Sequence, residues 1–361
     1  MLHLVMVGLA CAWIAGRAFS DRFGWSQPVS WIPPAVLAAP VWAAVAVAGW
    51  RARPRRRRER ATGRVPARPI AGSIVLGAGV LFAGVSLAHL LCVELGLHRL
   101  ARRAPTAGEV SVRLVFWNQA GHRAGDLGPV FVPLEPTVLV LANRHSDSST
   151  GEVARAFAET GPVHAAVGWP FDVFSRLPVR RWASTSLGLE GRSRAANDSS
   201  QRDSGWAAWY ELETAGGTLV VWAIDLPSDP RAHRVPLARE AGRTLASWSG
   251  AVRVREGDGY RYEKAERPGF PVPDVVVGDF NIPRGSASLG VFLEEAGAAG
   301  MRDAFDEAGF GWRRTWPREW PVWAIDHCFV GQGVRARSFD TRDPGVGGHR
   351  VLVVECARDG R

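Results

Sequence analysis

Cysteine is scarce, with four in 361 residues, no C-x-x-C pair and no His/Cys cluster, so nothing in the sequence suggests a zinc site. Cys11 and Cys92 lie in apolar runs and read as small apolar residues. Cys328 and Cys356 fall in strand-like segments, and whether they pair depends on compartment and geometry. No internal repeat is visible. Broad positive charge is also missing. The formal net charge is +9, but residues 51–69 hold nine Arg against one Glu, which leaves about +1 for the rest of the chain. That distribution disfavours a surface built for nucleic-acid backbones and makes the arginines a topology signal. Hydrophobic residues make up 47%, too many for a disordered chain.

The basic segment lies between two apolar runs. Residues 31–50 are about long enough to cross ~30 Å of hydrocarbon, and residues 70–97 carry no charge before Glu94. A shorter run opens the chain at 2–19, without a basic start or a clear small-residue cleavage site, so an anchor helix is preferred to a removed signal peptide. The Pro-interrupted second run also fits a buried or re-entrant helix. Together these predict a membrane anchor of about three helices over 1–103 and a separate domain over 104–361. With the Arg-rich loop 51–69 cytoplasmic, the anchor is multi-pass in the cell membrane and the C-terminal domain is extracytoplasmic. The arginines are also suited to anionic lipid headgroups.

Beyond residue 104, Val- and Leu-rich strand-like runs occur at 110–118, 137–143, 218–226, 274–281, 323–330 and 349–356. Amphipathic helical patterns lie between some of them, at 151–160, 232–248 and 286–297. Residues 188–205 have no apolar period and read as a surface loop. Doubly buried strands with interspersed helices predict an α/β layered domain of about 250 residues around one core. Polar residues stand at or beside the ends of these runs: Asn118, Asn143, Asp225, Asp279, Asn281, Asp326 and His349. One such residue is ordinary turn chemistry. Seven on six strands suggest a site where strand ends meet loops.

The ordered motifs LVFWN (114–118), FSRLPV (174–179), VVVGDFN (275–281), DAF (303–305), TWP (315–317), IDHCFV (325–330) and HRVLVVE (349–355) resemble the endonuclease/exonuclease/phosphatase family, over roughly 110–356. The resemblance implies an α/β class fold, a two-sheet α/β/β/α sandwich, here preceded by an N-terminal transmembrane anchor. It also implies a divalent-metal-dependent phosphoesterase. In that reading Asp279 orients or deprotonates the attacking water, and Asn281 donates to a phosphate oxygen. His349 bonds the scissile phosphate while Asp326 orients it and favours its charged form. Asn118 helps hold Mg²⁺ or Mn²⁺ together with Asn143 and Asp279.

Three departures from the family pattern accompany the matches. Asn143 stands where the principal metal-binding Glu is expected, Asp225 replaces a phosphate-facing His, and Gly348 replaces an acid before His349. Asp225 offers one replacement charge if it points to the same cavity, and Asp147 or His145 offers another. Two readings follow. One is a membrane-anchored hydrolase of a phosphodiester or phosphomonoester, with a lipid headgroup or small phosphodiester favoured over nucleic acid. The other is a catalytically degenerate member acting as a ligand- or partner-binding module.

Overall fold

The computed structural model describes residues 2–62, 70–101, 111–120, 127–143, 150–189, 204–257 and 259–358. The chain divides into two compact units, Met1–His98 and Arg99–Arg361.

The first unit holds α1 (Leu2–Phe19), α2 (Gln27–Trp31), α3 (Pro34–Thr62) and α4 (Ile70–His89), the last running into a π-helical turn at Leu90–Glu94. Ile32 precedes Pro33 and is extended, as the proline ring requires, so the second apolar run enters its helix only at Pro34. That helix does not stop at the arginines. Arg, Ala and Glu are good helix formers, and α3 continues to Thr62, so the expected loop 51–69 is helical over its first twelve residues. Residues 63–69 lie outside the described residues. Among the described residues one helical stretch, Gly77–Glu94, is long and apolar enough to cross a membrane, while Val5–Phe19 and Pro34–Ala48 are shorter apolar helices. Trp13, Leu37 and Ala38 form the small core of this unit, and Trp42 donates to the Ser86 hydroxyl at 2.8 Å.

The second unit contains two mixed sheets with helices. Its strands are β1 (Ser111–Asn118), β2 (Val138–Ala142), β3 (His164–Gly168), β4 (Phe171–Ser175), β5 (Val179–Ser186), β6 (Trp206–Thr214) and β7 (Gly217–Asp225). They continue with β8 (Ala251–Glu256), β9 (Gly259–Lys264), β10 (Val275–Asp279), β11 (Arg302–Asp303), β12 (Asp326–Val330), β13 (Val334–Arg342) and β14 (Val351–Arg358). Its helices are α5 (Gly128–Phe131), α6 (Thr150–Ala158), α7 (Arg234–Ser247), α8 (Ala287–Glu295) and α9 (Ala304–Ala308). One sheet has the order β13-β14-β1-β2-β4-β3 and the other β11-β12-β10-β7-β6-β5-β8-β9. β1 with β2 and β7 with β10 are parallel; the other pairs are antiparallel.

Side-chain alternation sorts these strands into layers. Leu114, Phe116, Val138, Val140, Val221, Ala223, Val275, Val277, Cys328 and Val354 share one interior cluster drawn from both sheets. Their sequence neighbours face outward. Val115, Trp117, Leu139 and Leu141 pack with Phe131 of α5 and with Val153 and Phe157 of α6. Trp222, Ile224 and Val276 pack with Leu237 and Leu245 of α7 and Phe292 of α8. Each such fully buried Leu or Phe contributes about 1.5–3 kcal/mol of transfer free energy. The close approach of β10 to β7 depends on Gly278, where a Cβ would fall 2.0 Å from the Ile224 carbonyl oxygen.

The six expected strands and three expected helices all occur, with ends shifted by a few residues. Eight further strands were not read from the sequence. β5, β8 and β13 mix exposed charged residues with buried ones, β9 buries none of its residues, and all four lack a continuous apolar run. β6 is largely buried but built of Trp, Ala and Tyr where Val and Ile would give the usual strand signal. Most of the expected loop 188–205 lies outside the described residues. Cys328 and Cys356 are both buried and free, and a hydrogen bond to Cys356 together with burial pushes the Cys328 thiol up.

Candidate active site

The interior layer ends in polar groups. Residues 114, 116 and 118 of β1 alternate on the same side, as do 221, 223 and 225 of β7, 275, 277 and 279 of β10, and 326, 328 and 330 of β12. Asn118, Asp225, Asp279 and Asp326 therefore continue the inward rows that the apolar residues begin, and all four are buried. Register aligns them across the second sheet: Asp279 stands opposite Asp225 on one side and Asp326 on the other. Three carboxylates thus form one row across β7, β10 and β12.

The first sheet answers this row with amides. Asn118 Nδ2 donates to Asp279 Oδ2 at 2.7 Å, and Asn143 Nδ2 donates to Asp225 Oδ2 at 3.1 Å. Asn118 Oδ1 accepts from the Ala120 backbone at 2.8 Å, which fixes its amide orientation. Three residues just past strand ends here are left-handed: Ala120, Asn143 and Asn281, with φ of 50°, 48° and 49°. Asparagine adopts that conformation more readily than most residues, and here it lets the chain turn away from the strand at once.

His349 closes the site. Its Nδ1 donates to Asp326 Oδ2 at 2.9 Å, and its Nε2 lies 3.7 Å from Asp279 Oδ2. Burial alone would lower its pKa, but Asp326, Asp279 and Asp225 overcome that and raise it to about 9. Asp279 moves up to about 7, through burial first and Asp326 second, with His349, the Asn281 backbone and Asn118 opposing. An imidazolium held between two buried carboxylates is the result.

Sequence reasoning missed two positioning groups. The buried Trp117 donates from Nε1 to the His349 carbonyl at 3.1 Å, and packs close to Gly347, where a Cβ would meet its ring at 2.8 Å. The buried Thr315 hydroxyl accepts from the Asp326 backbone at 3.3 Å. Thr315 belongs to the TWP motif, so a signal for it was present; Trp117 read simply as strand core.

Asn281 differs from expectation. β10 ends at Asp279, so strand alternation no longer sets the direction of Asn281. Its backbone N–H donates to Asp279 Oδ1 at 2.8 Å, and its side-chain amide donates to the Leu226 carbonyl at 2.7 Å. Gly348 carries no side chain to the site, and its carbonyl accepts from the Arg318 backbone at 2.9 Å. His145 and Asp147 lie outside the described residues. His327, next to Asp326, faces the other way: its Nε2 donates to the Ile282 carbonyl at 2.7 Å, and burial lowers its pKa to about 4.

Residues 173–347 match the model of the Endonuclease/Exonuclease/phosphatase family. Over this segment the C-terminal unit is similar to the endonuclease/exonuclease/phosphatase family. The matched segment of this domain includes Asp225, Asp279, Asn281 and Asp326, and stops short of Asn118, Asn143 and His349. Among solved structures, it resembles an endonuclease/exonuclease/phosphatase from Beutenbergia cavernae, at 15% identity and TM-score 0.47, over 69% of this chain and 72% of that one. A mannosyl-6-phosphatase from Bacteroides thetaiotaomicron aligns at 11% identity and TM-score 0.45, over 68% and 99% of the two chains. A family protein from Leptotrichia buccalis aligns at 9% and 0.46, over 67% and 98%. No curated protein matches the sequence.

A divalent ion fits the chemistry of this donor set. Asp279 and Asp326 bring carboxylate oxygens within 4.8 Å of each other, and Asp326 Oδ1 is buried without a protein partner. The adjoining Gln119 is also buried, with neither side-chain amide atom paired. Oxygen-rich, acid-dominated sites of this kind suit hard cations.

Proposed function

We propose that the chain is a membrane-anchored, divalent-metal-dependent phosphoesterase whose C-terminal domain acts outside the cytoplasm. The observation that carries the catalytic part is the in-register row Asp225–Asp279–Asp326 with His349 held between two of its members. A module that had lost its chemistry would be expected to fill this end with apolar side chains. Here it stays polar and acidic.

The roles follow from the contacts. Both oxygens of Asp279 are fixed, one by Asn118 and one by the Asn281 backbone, so its carboxylate is aimed before substrate arrives. That placement suits it to taking a proton from water. His349, charged at neutral pH and oriented by Asp326, donates from Nε2 to a non-bridging phosphate oxygen as charge develops there. Asn118, Asn143, Asp225 and Asp279 are the residues that would hold Mg²⁺ or Mn²⁺. When bound, the ion neutralises phosphate charge and lowers the pKa of coordinated water.

For the location, the support is the apolar stretch Gly77–Glu94, along which Val80, Leu81, Val85 and Val93 are exposed, together with the arginines that precede it in sequence. The orientation rests on those arginines staying in the cytoplasm.

The test uses the full chain in nanodiscs with bis(p-nitrophenyl) phosphate, with and without Mg²⁺ or Mn²⁺. Wild type is expected to hydrolyse it in a metal-dependent manner, and His349→Ala is expected to lose about 10²–10⁴-fold in rate. Equal rates for the two, or no effect of metal, would sink the proposal.

A further inference from the structure

The catalytic domain distributes its tryptophans unevenly. Among its described residues four are exposed: Trp169, Trp312, Trp316 and Trp320, the last with 81% of its surface accessible. All four lie at the end of the sandwich that bears the site. Trp169 sits in the turn between β3 and β4, and that turn is at the site end because Phe171 pairs with Ala142, the residue before Asn143. The other three lie in the segment 309–325, which leads directly into Asp326.

This segment is firmly built. Trp316 and Trp323 exchange backbone hydrogen bonds and pack their rings 5.3 Å apart, which projects residues 317–322 as a lap with Trp320 near its tip. Trp312 donates to the Pro321 carbonyl at 2.8 Å, and the Arg314 guanidinium lies over the Trp312 ring at 4.3 Å. The lap is also tied to the catalytic loop. Arg318 donates from its backbone to Gly348 and from its side chain to Gly347 and Asp343, while the Arg350 backbone donates to Thr315. Phe310 and Val346 add exposed apolar surface beside it. The three arginines of residues 310–323 are engaged within the domain: Arg313 with Asp340, Arg318 with Glu319 and Asp343, and Arg314 with the Val322 carbonyl.

Three exposed indoles on a preorganised rim, with Trp169 at the same end of the sandwich, border a phosphate-handling site and match the headgroup zone of a bilayer. Indole rings settle there because they have an apolar body and an N–H donor. Folded domains seldom leave so much aromatic surface in one place without a use. We infer that this end of the domain docks on a phospholipid surface through Trp169, Trp312, Trp316 and Trp320, and that the phosphoester it takes is carried by a lipid. The inference rests on the membrane-anchored phosphoesterase reading for its substrate, but the docking itself is measurable without turnover.

The full chain is reconstituted in nanodiscs of phosphatidylcholine with phosphatidylglycerol, made with either brominated or ordinary acyl chains. Wild type is compared with the triple variant Trp312→Phe, Trp316→Phe, Trp320→Phe, so that quenching of tryptophans in the N-terminal helices cancels. Docking predicts a quenchable component in wild type that the triple variant lacks. Identical quenching of the two proteins overturns it. In the same nanodiscs, Trp320→Ala is expected to lower kcat/KM for a phospholipid at least tenfold and to leave bis(p-nitrophenyl) phosphate hydrolysis unchanged. An equal loss on both substrates, or none on the lipid, overturns the lipid-substrate half. Quenching of these tryptophans by a single-stranded oligonucleotide, with none by brominated lipid, would make the rim a base-stacking platform and also overturn the inference. If neither substrate is hydrolysed at all, the quenching result still decides docking, and the failure belongs to the phosphoesterase reading.

Discussion

The two ends of the carboxylate row have different histories in the sequence and the same construction in space. On β10, β12 and the approach to β14, Asp279, Asp326 and His349 stand where expected, with His349 against both carboxylates, and Gly348 is the one departure. On β2 and β7 the expected acid is missing at position 143, and an acid appears at 225, where a histidine is expected. The hydrogen bond from Asn143 to Asp225 joins two of the three departures into one exchange, with the amide on the first sheet and the carboxylate on the second. The Asn118–Asp279 bond has the same form and the same polarity. The altered half thus copies the intact half. The difference between them is one of role: the intact half carries the proton-transfer groups, and the altered half carries charge for an ion.

That division is open to direct attack. In the intact half, Asp279→Asn keeps the shape and one of the two accepted hydrogen bonds but removes the base, and hydrolysis is expected to fall about 10²–10⁴-fold. Saturating Mn²⁺ should not rescue it, because the lost group handles a proton. Initial rates across a metal titration check this, and recovery at high metal would mean that Asp279 serves chiefly as a ligand. In the altered half, Asp225→Asn is expected to weaken Mn²⁺ binding by about 10–100-fold, measured by calorimetry on the full chain, with the rate recovering as metal is raised. The double variant Asn143→Asp with Asp225→Asn returns the acid to the first sheet, and should regain most of the lost affinity.

Acid–base behaviour separates the halves further. Asp279 and His349 both have folded-state pKa values above their ordinary ones, at about 7 against 3.8 and about 9 against 6.5. A raised folded pKa means that the folded state holds its proton more tightly than the unfolded chain does. Each group's stabilisation is therefore complete below its unfolded value and disappears as pH rises through the folded one. For the metal-free protein, these two groups should lower Tm from about pH 4 to about pH 7 through Asp279, and from about pH 6.5 to about pH 9 through His349. His349→Gln should flatten the upper part of that decline, and scanning calorimetry in chelator checks it. Asp225→Asn should leave the fall near pH 7 in place, since burial and Asp326 are the main causes of the Asp279 shift.

How far the sequence revealed this site depended on which contacts were local. Six strands were legible because β1, β2, β7, β10, β12 and β14 bury both faces and read as apolar runs ending in polar residues. The strands with one charged face, such as β8 and β9, carried no such signal. The identity of the site residues was legible from motifs, and so was the anomaly at Asn143. Register was not. That Asp225, Asp279 and Asp326 form one row depends on pairing between segments about fifty residues apart, which no local pattern encodes. The left-handed turn at Asn281 was likewise invisible, because alternation was extended two residues past the end of the strand.

Asn281 provides the mildest and most discriminating change. Its side chain ties the exit of β10 to the Leu226 carbonyl, one residue beyond Asp225, so it spans the junction between the halves. Asn281→Ala removes that bond and one residue type tolerant of φ near 49°, but keeps the backbone N–H that fixes Asp279 Oδ1. The expected stability loss is about 1–2 kcal/mol, from one hydrogen bond and local strain. If Asn281 works only as this brace, kcat at saturating metal should change less than tenfold and KM should hardly move. If it also donates to phosphate, as the family resemblance implies, KM should rise and kcat should fall by about 10²-fold or more, beyond what the stability loss accounts for. Asn281→Asp sharpens the choice. It retains the size and the turn tendency but cannot donate to Leu226, and it places a fourth acid beside the row. A larger rate loss for this variant than for Asn281→Ala would show that the junction is sensitive to charge facing the phosphate.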